Sequence, residues 1–418
     1  MTDNPYIISW NTTKRCNLAC SHCYLDSAEM NGASDMSTEQ CMKVMDELAS
    51  FAPGAMLVLT GGEPLLRPDI FSIIRYSRKK GFTPVLGTNA TLIDSEVAKE
   101  LKHSGISGVG ISLDSLRGEP HDKIRGVEGS YTTTMNGIEA IKKAGIPFHT
   151  QFSITEDNLY EIEGFTRFSR DLGARAVNFF FLVCTGRGQE DTALKPALYE
   201  EALQKIVRAS NYYKNEIMVR ARCAPHIIRY ADDSTFDGFN DFSVTSGCIA
   251  AKGYLRVDPN GSVTPCPYIA PHDDTPNILN TTLFNIWNTD KAFTDIREGK
   301  LEGECGECDF SESCGGCRAR SFIKNGTFLG DDPWCEYMSE SEIKNRSGNE
   351  NNKVVISKSA PAKIINITWS TEAEERLKNV PVFVRPLVKK GLERYAKAQG
   401  VREITPEMMQ KLRSRAKH

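Results

Sequence analysis

The sequence predicts an α/β fold: an open, partial (β/α)6 barrel, then a cysteine-rich segment stapled by metal, then a small helical module. Three observations carry this. Short β-rich runs alternate with helical patterns through the first half of the chain, and eleven of the thirteen cysteines fall in residues 16–23 or 223–335. Helical periodicity then returns only after a polar stretch near residue 340.

Strands are read at 6–11, 56–60, 83–88, 108–113, 148–154 and 176–182, with helices at about 38–51, 68–80, 95–104, 133–144 and 159–172 and a sixth at 198–211. Ser37 with Gln40 three residues later is a capping box that opens the first helix. Alternation of this kind demands parallel strands with their crossover helices outside. Six units are fewer than the eight of a closed barrel, so the barrel is open. In parallel architectures ligands gather at the carboxyl ends of the strands. This domain is assigned to residues 1–215.

From about Arg220 to Cys335 the rhythm stops and Gly, Pro, Asp and Cys become frequent. Such a segment has too little apolar periodicity to hold itself by packing, which makes metal centres its natural staples. It is assigned to residues 216–338, followed by a polar flexible linker at 339–355 and a helical module at 356–418. The module's helices are read at 371–377, 382–398 and 406–416, and from Ser370 onward it carries twelve Lys and Arg against six acidic residues.

A chain of 418 residues has room for more than one core. Its formal charge of -3 gives no reason to expect nucleic acid or an anionic membrane as partner. The start, Met-Thr-Asp-Asn-Pro-Tyr, is not a secretory signal, and no apolar run of about twenty residues occurs. A cytoplasmic protein is expected. In that compartment an odd count of thirteen cysteines reads as metal ligands rather than disulfides. Cys41 and Cys184 stand apart and read as buried structural thiols.

The most informative motif is Cys16-x3-Cys20-x2-Cys23, directly after the first strand. Three thiolates can hold three irons of a 4Fe-4S cluster, leaving the fourth iron open to a substrate or cofactor. Zinc is the competing reading, with His22 as fourth ligand. Thr60-Gly61-Gly62-Glu63-Pro64 follows the second strand, and with the cysteines it resembles the radical S-adenosylmethionine (SAM) superfamily. The resemblance implies a partial TIM barrel whose open iron chelates the methionine part of SAM. It implies that Gly61, Gly62, Glu63 and Pro64 approach the methionine amino group, with Glu63 as a charge partner. Asn89 after Thr88, Ser112 before Asp114, and Arg125 in a loop extend that SAM site, Ser112 and Arg125 as contacts to its carboxylate or ribose.

The second cysteine set is Cys248, Gly261-x4-Cys266, Cys305-x2-Cys308-x5-Cys314-x2-Cys317 and Cys335. It resembles the SPASM extension of that superfamily, except that Cys314 and Cys317 are separated by two residues rather than three. The resemblance implies one or two auxiliary 4Fe-4S clusters. Cys248, Cys266 and Cys317 would hold one, with Cys223 as fourth ligand, and Cys305, Cys308, Cys314 and Cys335 would hold the other. Arg222-Cys223-Ala224-Pro225-His226, Cys314-Gly-Gly-Cys-Arg-Ala-Arg320 and Asp332-Pro-Trp-Cys335 are similar to the tetrapyrrole-modifying branch, in heme d1 and siroheme-dependent heme biosynthesis. Residues 369–409 are similar to a small domain of the light-independent protochlorophyllide reductase B subunit.

The implied activity is radical removal or modification of carboxylate side chains of an iron tetrapyrrole. Arg318, Arg320 and the basic tail would meet its carboxylates, Cys223 or His226 would meet its iron or a cluster, and ferredoxin or flavodoxin would supply electrons. The rival readings are a SPASM peptide or protein maturase and a non-catalytic electron carrier.

Overall fold

The computed structural model describes residues 4–27, 32–188, 193–230, 247–337, 368–378, 380, 385–398 and 401–415. The expected linker at 339–355, the module's start at 356–367 and residues 382–384 lie outside these.

Six parallel strands run in sequence order: β1 (Ile7–Asn11), β2 (Met56–Thr60), β3 (Thr83–Thr88), β4 (Gly108–Ser112), β5 (Phe148–Ile154) and β6 (Ala176–Phe181). The sheet then continues at both edges. A seventh parallel strand, β7 (Met218–Arg222), pairs with β6, and β8 (Tyr254–Val257) pairs in parallel with β1 and antiparallel with β9 (Val263–Thr264). The cysteine-rich segment thus adds strands to the barrel sheet. Alternation of Arg and apolar residues in Met-Val-Arg-Ala-Arg is a period-2 signal too short to stand out in sequence.

The helices cover the outer face. The first, α1 (Thr38–Phe51), begins at the expected capping box, with Ser37 accepting from Gln40 N and Gln40 accepting from Ser37 N. The others on this face are α2 (Ile70–Lys79), α3 (Ser95–His103), α4 (Gly118–Arg125), α5 (Ser130–Lys143), α6 (Ile162–Asp171) and α7 (Pro196–Tyr212). Here α4 is a correction: Arg125, read as a loop residue, closes a helix. It has no side-chain N-cap, but Gly126 at φ 72° caps its C-terminus.

The apolar residues between sheet and helices form one continuous core, including Trp10, Leu57, Leu86, Ile111, Phe152 and Phe179. The tail has a core of its own in Ala373, Leu392, Ala396 and Ile404, under helices at Thr371–Lys378, Arg385–Ala398 and Pro406–Arg415. No helix among the described residues is long and apolar enough to cross a membrane.

Candidate active site

The loop after β1 carries Cys16, Cys20 and Cys23 and is braced from three sides. Gly62 N donates to Thr13 O (2.9 Å) and Glu63 N to Arg15 O (2.7 Å); Ala19 N and Ser21 N donate to Arg125 O and Ile124 O, each 3.0 Å. Arg187 Nε donates to Cys20 O (2.9 Å). Each sulfur accepts a donor: Leu18 N to Cys16 Sγ (3.5 Å), Arg125 Nη1 to Cys20 Sγ (3.6 Å) and Ser27 N to Cys23 Sγ (3.4 Å). Donors of this kind favour thiolates and tune a cluster they hold. Among the described residues, no three His, Cys, Asp or Glu side chains converge on a point for one metal ion. A tetrahedral zinc site needs that convergence, whereas in a cluster each thiolate takes its own iron.

The three cysteines share the wall of a cavity of about 170 Å³ with Gly61, Gly62, Asn89, Ser112 and Arg125. Five of the seven residues expected around SAM are therefore brought together at the strand ends. Glu63 and Pro64 are not on this wall. The Glu63 carboxylate is fully buried and accepts from Leu65 N (3.1 Å), Thr88 Oγ1 (2.8 and 2.9 Å) and Asn89 N (2.9 Å). It ties the loop after β2 to the end of β3 and is not free as a charge partner. Burial raises its carboxyl to about 7 against those hydrogen bonds. The glycines answer first to the cysteine loop: a Cβ on Gly61, at φ 135°, would lie 2.4 Å from Thr13 O, and one on Gly62 would lie 2.2 Å from Arg15 O.

Arg125 lies between Cys20 and Asp114, its Nη2 2.5 Å from Asp114 Oδ2. Asp114 is also held by Ser153 N (2.8 Å) and stands 4.0 Å from His22. Burial holds His22 down at about 4, so it is neutral. Sequence reading missed Gln151, Ser153, Phe180 and Tyr268 on the same wall. The first three lie on β5 and β6, facing inward near the strand ends. Tyr268 comes from the cysteine-rich segment, stacks edge-on against Tyr24 (5.5 Å between centroids), and had no local signal.

The eight cysteines from Cys223 to Cys335 fall into two electrostatic groups. Cys248 acts on Cys223, Cys266 and Cys317, which also act on one another, while Cys335 acts on Cys314 and is itself acted on by Cys305, which also acts on Cys308. Burial pushes Cys223, Cys314 and Cys335 up to about 12. Cys223 holds a left-handed backbone, φ 59°, that a non-glycine residue rarely adopts.

Between the groups sits a buried polar network. Asp332 accepts from Arg320 Nε and Nη2 (2.9 and 2.8 Å) and from Cys317 N (2.7 Å), and it stands 3.4 Å from His226. His226 meets Tyr199 Oη at 2.7 Å. Arg318 donates to Phe328 O (2.7 Å) and Gly330 O (2.9 Å). Arg318, Arg320 and His226, expected to meet substrate or a cluster, are buried with hydrogen bonds to protein groups, and Arg320 also borders a second cavity beside Trp334.

Residues 10–168 match the radical SAM superfamily, 248–309 the SPASM iron-sulfur cluster-binding domain and 369–413 the proto-chlorophyllide reductase 57 kD subunit. Over 346 residues the chain is 35% identical to the AdoMet-dependent heme synthase of Methanosarcina barkeri, covering 81% of this chain and 98% of that protein. The chain belongs to the radical SAM superfamily. It is also 29% identical over 363 residues to the Fe-coproporphyrin III synthase of the same organism, covering 82% of this chain and 90% of that one. The fold is that of Streptococcus suis SuiB bound to precursor peptide SuiA, at TM-score 0.65 and 17% identity, covering 80% of this chain and 76% of that chain. As a radical SAM enzyme with a SPASM segment, the protein uses 4Fe-4S clusters and SAM, and the sulfur donors and glycine-walled cavity fit them.

Proposed function

We propose that this enzyme removes or modifies carboxylate-bearing side chains of an iron tetrapyrrole in heme or heme d1 biosynthesis. The observation that carries this is the match along 98% of the length of an AdoMet-dependent heme synthase. Cys16, Cys20 and Cys23 hold the cluster that binds SAM, and Gly61, Gly62, Asn89, Ser112 and Arg125 line the SAM cavity. Cys223, Cys248, Cys266 and Cys317 hold one auxiliary cluster and Cys305, Cys308, Cys314 and Cys335 a second. Electrons come from a ferredoxin or flavodoxin.

When bound, the reduced cluster and SAM supply a 5'-deoxyadenosyl radical able to take hydrogen from an unactivated carbon. The chain supplies position and shelter. Arg125, fixed by Asp114, keeps a cation beside Cys20. Phe180 and Tyr268 give the cavity apolar walls that exclude water from a reactive intermediate. The test is anaerobic reconstitution and turnover with didecarboxysiroheme, iron coproporphyrin and a SPASM peptide substrate, read by mass. Loss of carboxylate-bearing mass from a tetrapyrrole is expected; a product from the peptide alone would make the enzyme a peptide maturase.

A further inference from the structure

The inner face of the barrel carries two guanidiniums that the site described above does not use. Strand register places them there. Asn178 pairs with both Gln151 on β5 and Arg220 on β7, and Phe180 pairs with both Ser153 and Arg222. Registered residues of parallel strands share a face, and Gln151, Ser153 and Phe180 line the cavity. Arg220 and Arg222 therefore project toward the same inner face of the barrel, while Val219, one residue before Arg220, is buried in the core.

Neither makes an ion pair among the described residues. Arg222 Nε donates to Asn178 Oδ1 at 3.2 Å, and Arg220 Nε is buried with no hydrogen-bond partner. Both side chains keep partial exposure, so the interior is open to them. The groups around them do not supply a carboxylate: His149 beside Gln151 (3.3 Å), and Cys223, Tyr6 and Tyr254 acting on Arg222. Burial and the two arginines hold His149 down at about 3, so it is neutral, and burial with the charge of Arg222 pushes Arg220 down to about 9. Gly110 on β4 leaves the room these side chains fill, since a Cβ there would lie 2.6 Å from both Gln151 Nε2 and His149 Nε2.

Two largely buried cations with no carboxylate beside them are costly unless a ligand completes them. A planar guanidinium pair suits a carboxylate better than any other common ligand group. We infer that Arg222, backed by Arg220, is the carboxylate receptor at the base of the substrate cavity and takes a propionate or acetate group of the tetrapyrrole. This rests on the tetrapyrrole reading above and deepens it.

The experiment titrates the anaerobically reconstituted enzyme with iron coproporphyrin and with its tetramethyl ester, following the Soret band. Wild-type enzyme is expected to prefer the acid. Arg222→Gln should weaken the acid by roughly ten- to a hundredfold and leave the ester unchanged, the loss of a charged hydrogen bond. Arg222→Lys should recover part of the preference, and Arg220→Gln should lose less than Arg222→Gln. The ratio of acid to ester affinity within each variant separates a lost receptor from a damaged fold. If Arg222→Gln and Arg220→Gln both keep the wild-type ratio, the inference is overturned. It is also overturned if Arg222→Gln only shifts the potential of an auxiliary cluster, since the arginine then serves neighbouring Cys223. No Soret shift with either ligand in wild type would instead overturn the tetrapyrrole reading itself.

Discussion

Asp332 is a single carboxylate on which two cysteine groups lean. It receives both guanidinium donors of Arg320 and the N–H of Cys317, and arginine and neighbouring groups hold it well below the usual carboxylate range in spite of burial. Asp332→Asn keeps the shape and removes the charge, leaving Arg320 buried without its partner. Breaking a buried pair from one side costs about 3 kcal/mol, so the denaturation midpoint should fall accordingly and the auxiliary-cluster EPR signal should change. Glu63 makes a prediction of opposite sign. Its folded carboxyl is raised from 4.5 to about 7, so its contribution to stability is complete below pH 4.5 and is lost as pH rises through 7. Urea midpoints of the reconstituted protein should therefore fall across that window, and Glu63→Gln should flatten the fall; an unchanged slope would sink this account.

Loop on loop is the contact that shapes the SAM side of the site. The glycines after β2 exist because the backbone of Thr13 and Arg15 lies against them, and Glu63 pins the same loop to the end of β3. Gly62→Ala must displace Arg15 O, and overpacking of this kind costs about 1–3 kcal/mol. The displacement passes directly to Cys16, so SAM affinity, measured by equilibrium dialysis, should fall while the auxiliary clusters keep their spectra. The short helix α4 is the second brace. Its last two carbonyls, at Ile124 and Arg125, hold the cysteine loop, and Gly126 ends it so that Ala19 can approach.

At the level of the molecule, the barrel and cysteine-rich segment share one sheet and one apolar core, and the tail has another. The family matches follow the same division, with residues 10–168 and 248–309 matched by two models and 369–413 by a third. A chain ended at residue 338 should keep its melting temperature within about 3 °C, less than the loss of one substantial contact would cause. It should also retain 5'-deoxyadenosine formation in the presence of SAM and reductant. Collapse of the truncated protein would show that the tail completes the main core.

The sequence by itself determined the order of the first six strands, the capping box at Ser37, the cysteine triplet at a strand end and the auxiliary cysteine pattern, because periodicity, caps and ligand spacing are local properties. Only the tertiary structure decided what long-range packing controls: that Glu63, Arg318, Arg320 and His226 are spent on internal partners, that Tyr268 joins the cavity wall, and that β7 extends the sheet. A charged side chain looks the same in sequence whether a buried carboxylate satisfies it or none does. Folding separated Arg320, neutralised by Asp332, from Arg220 and Arg222, which strand register turns to the barrel interior with no carboxylate beside them.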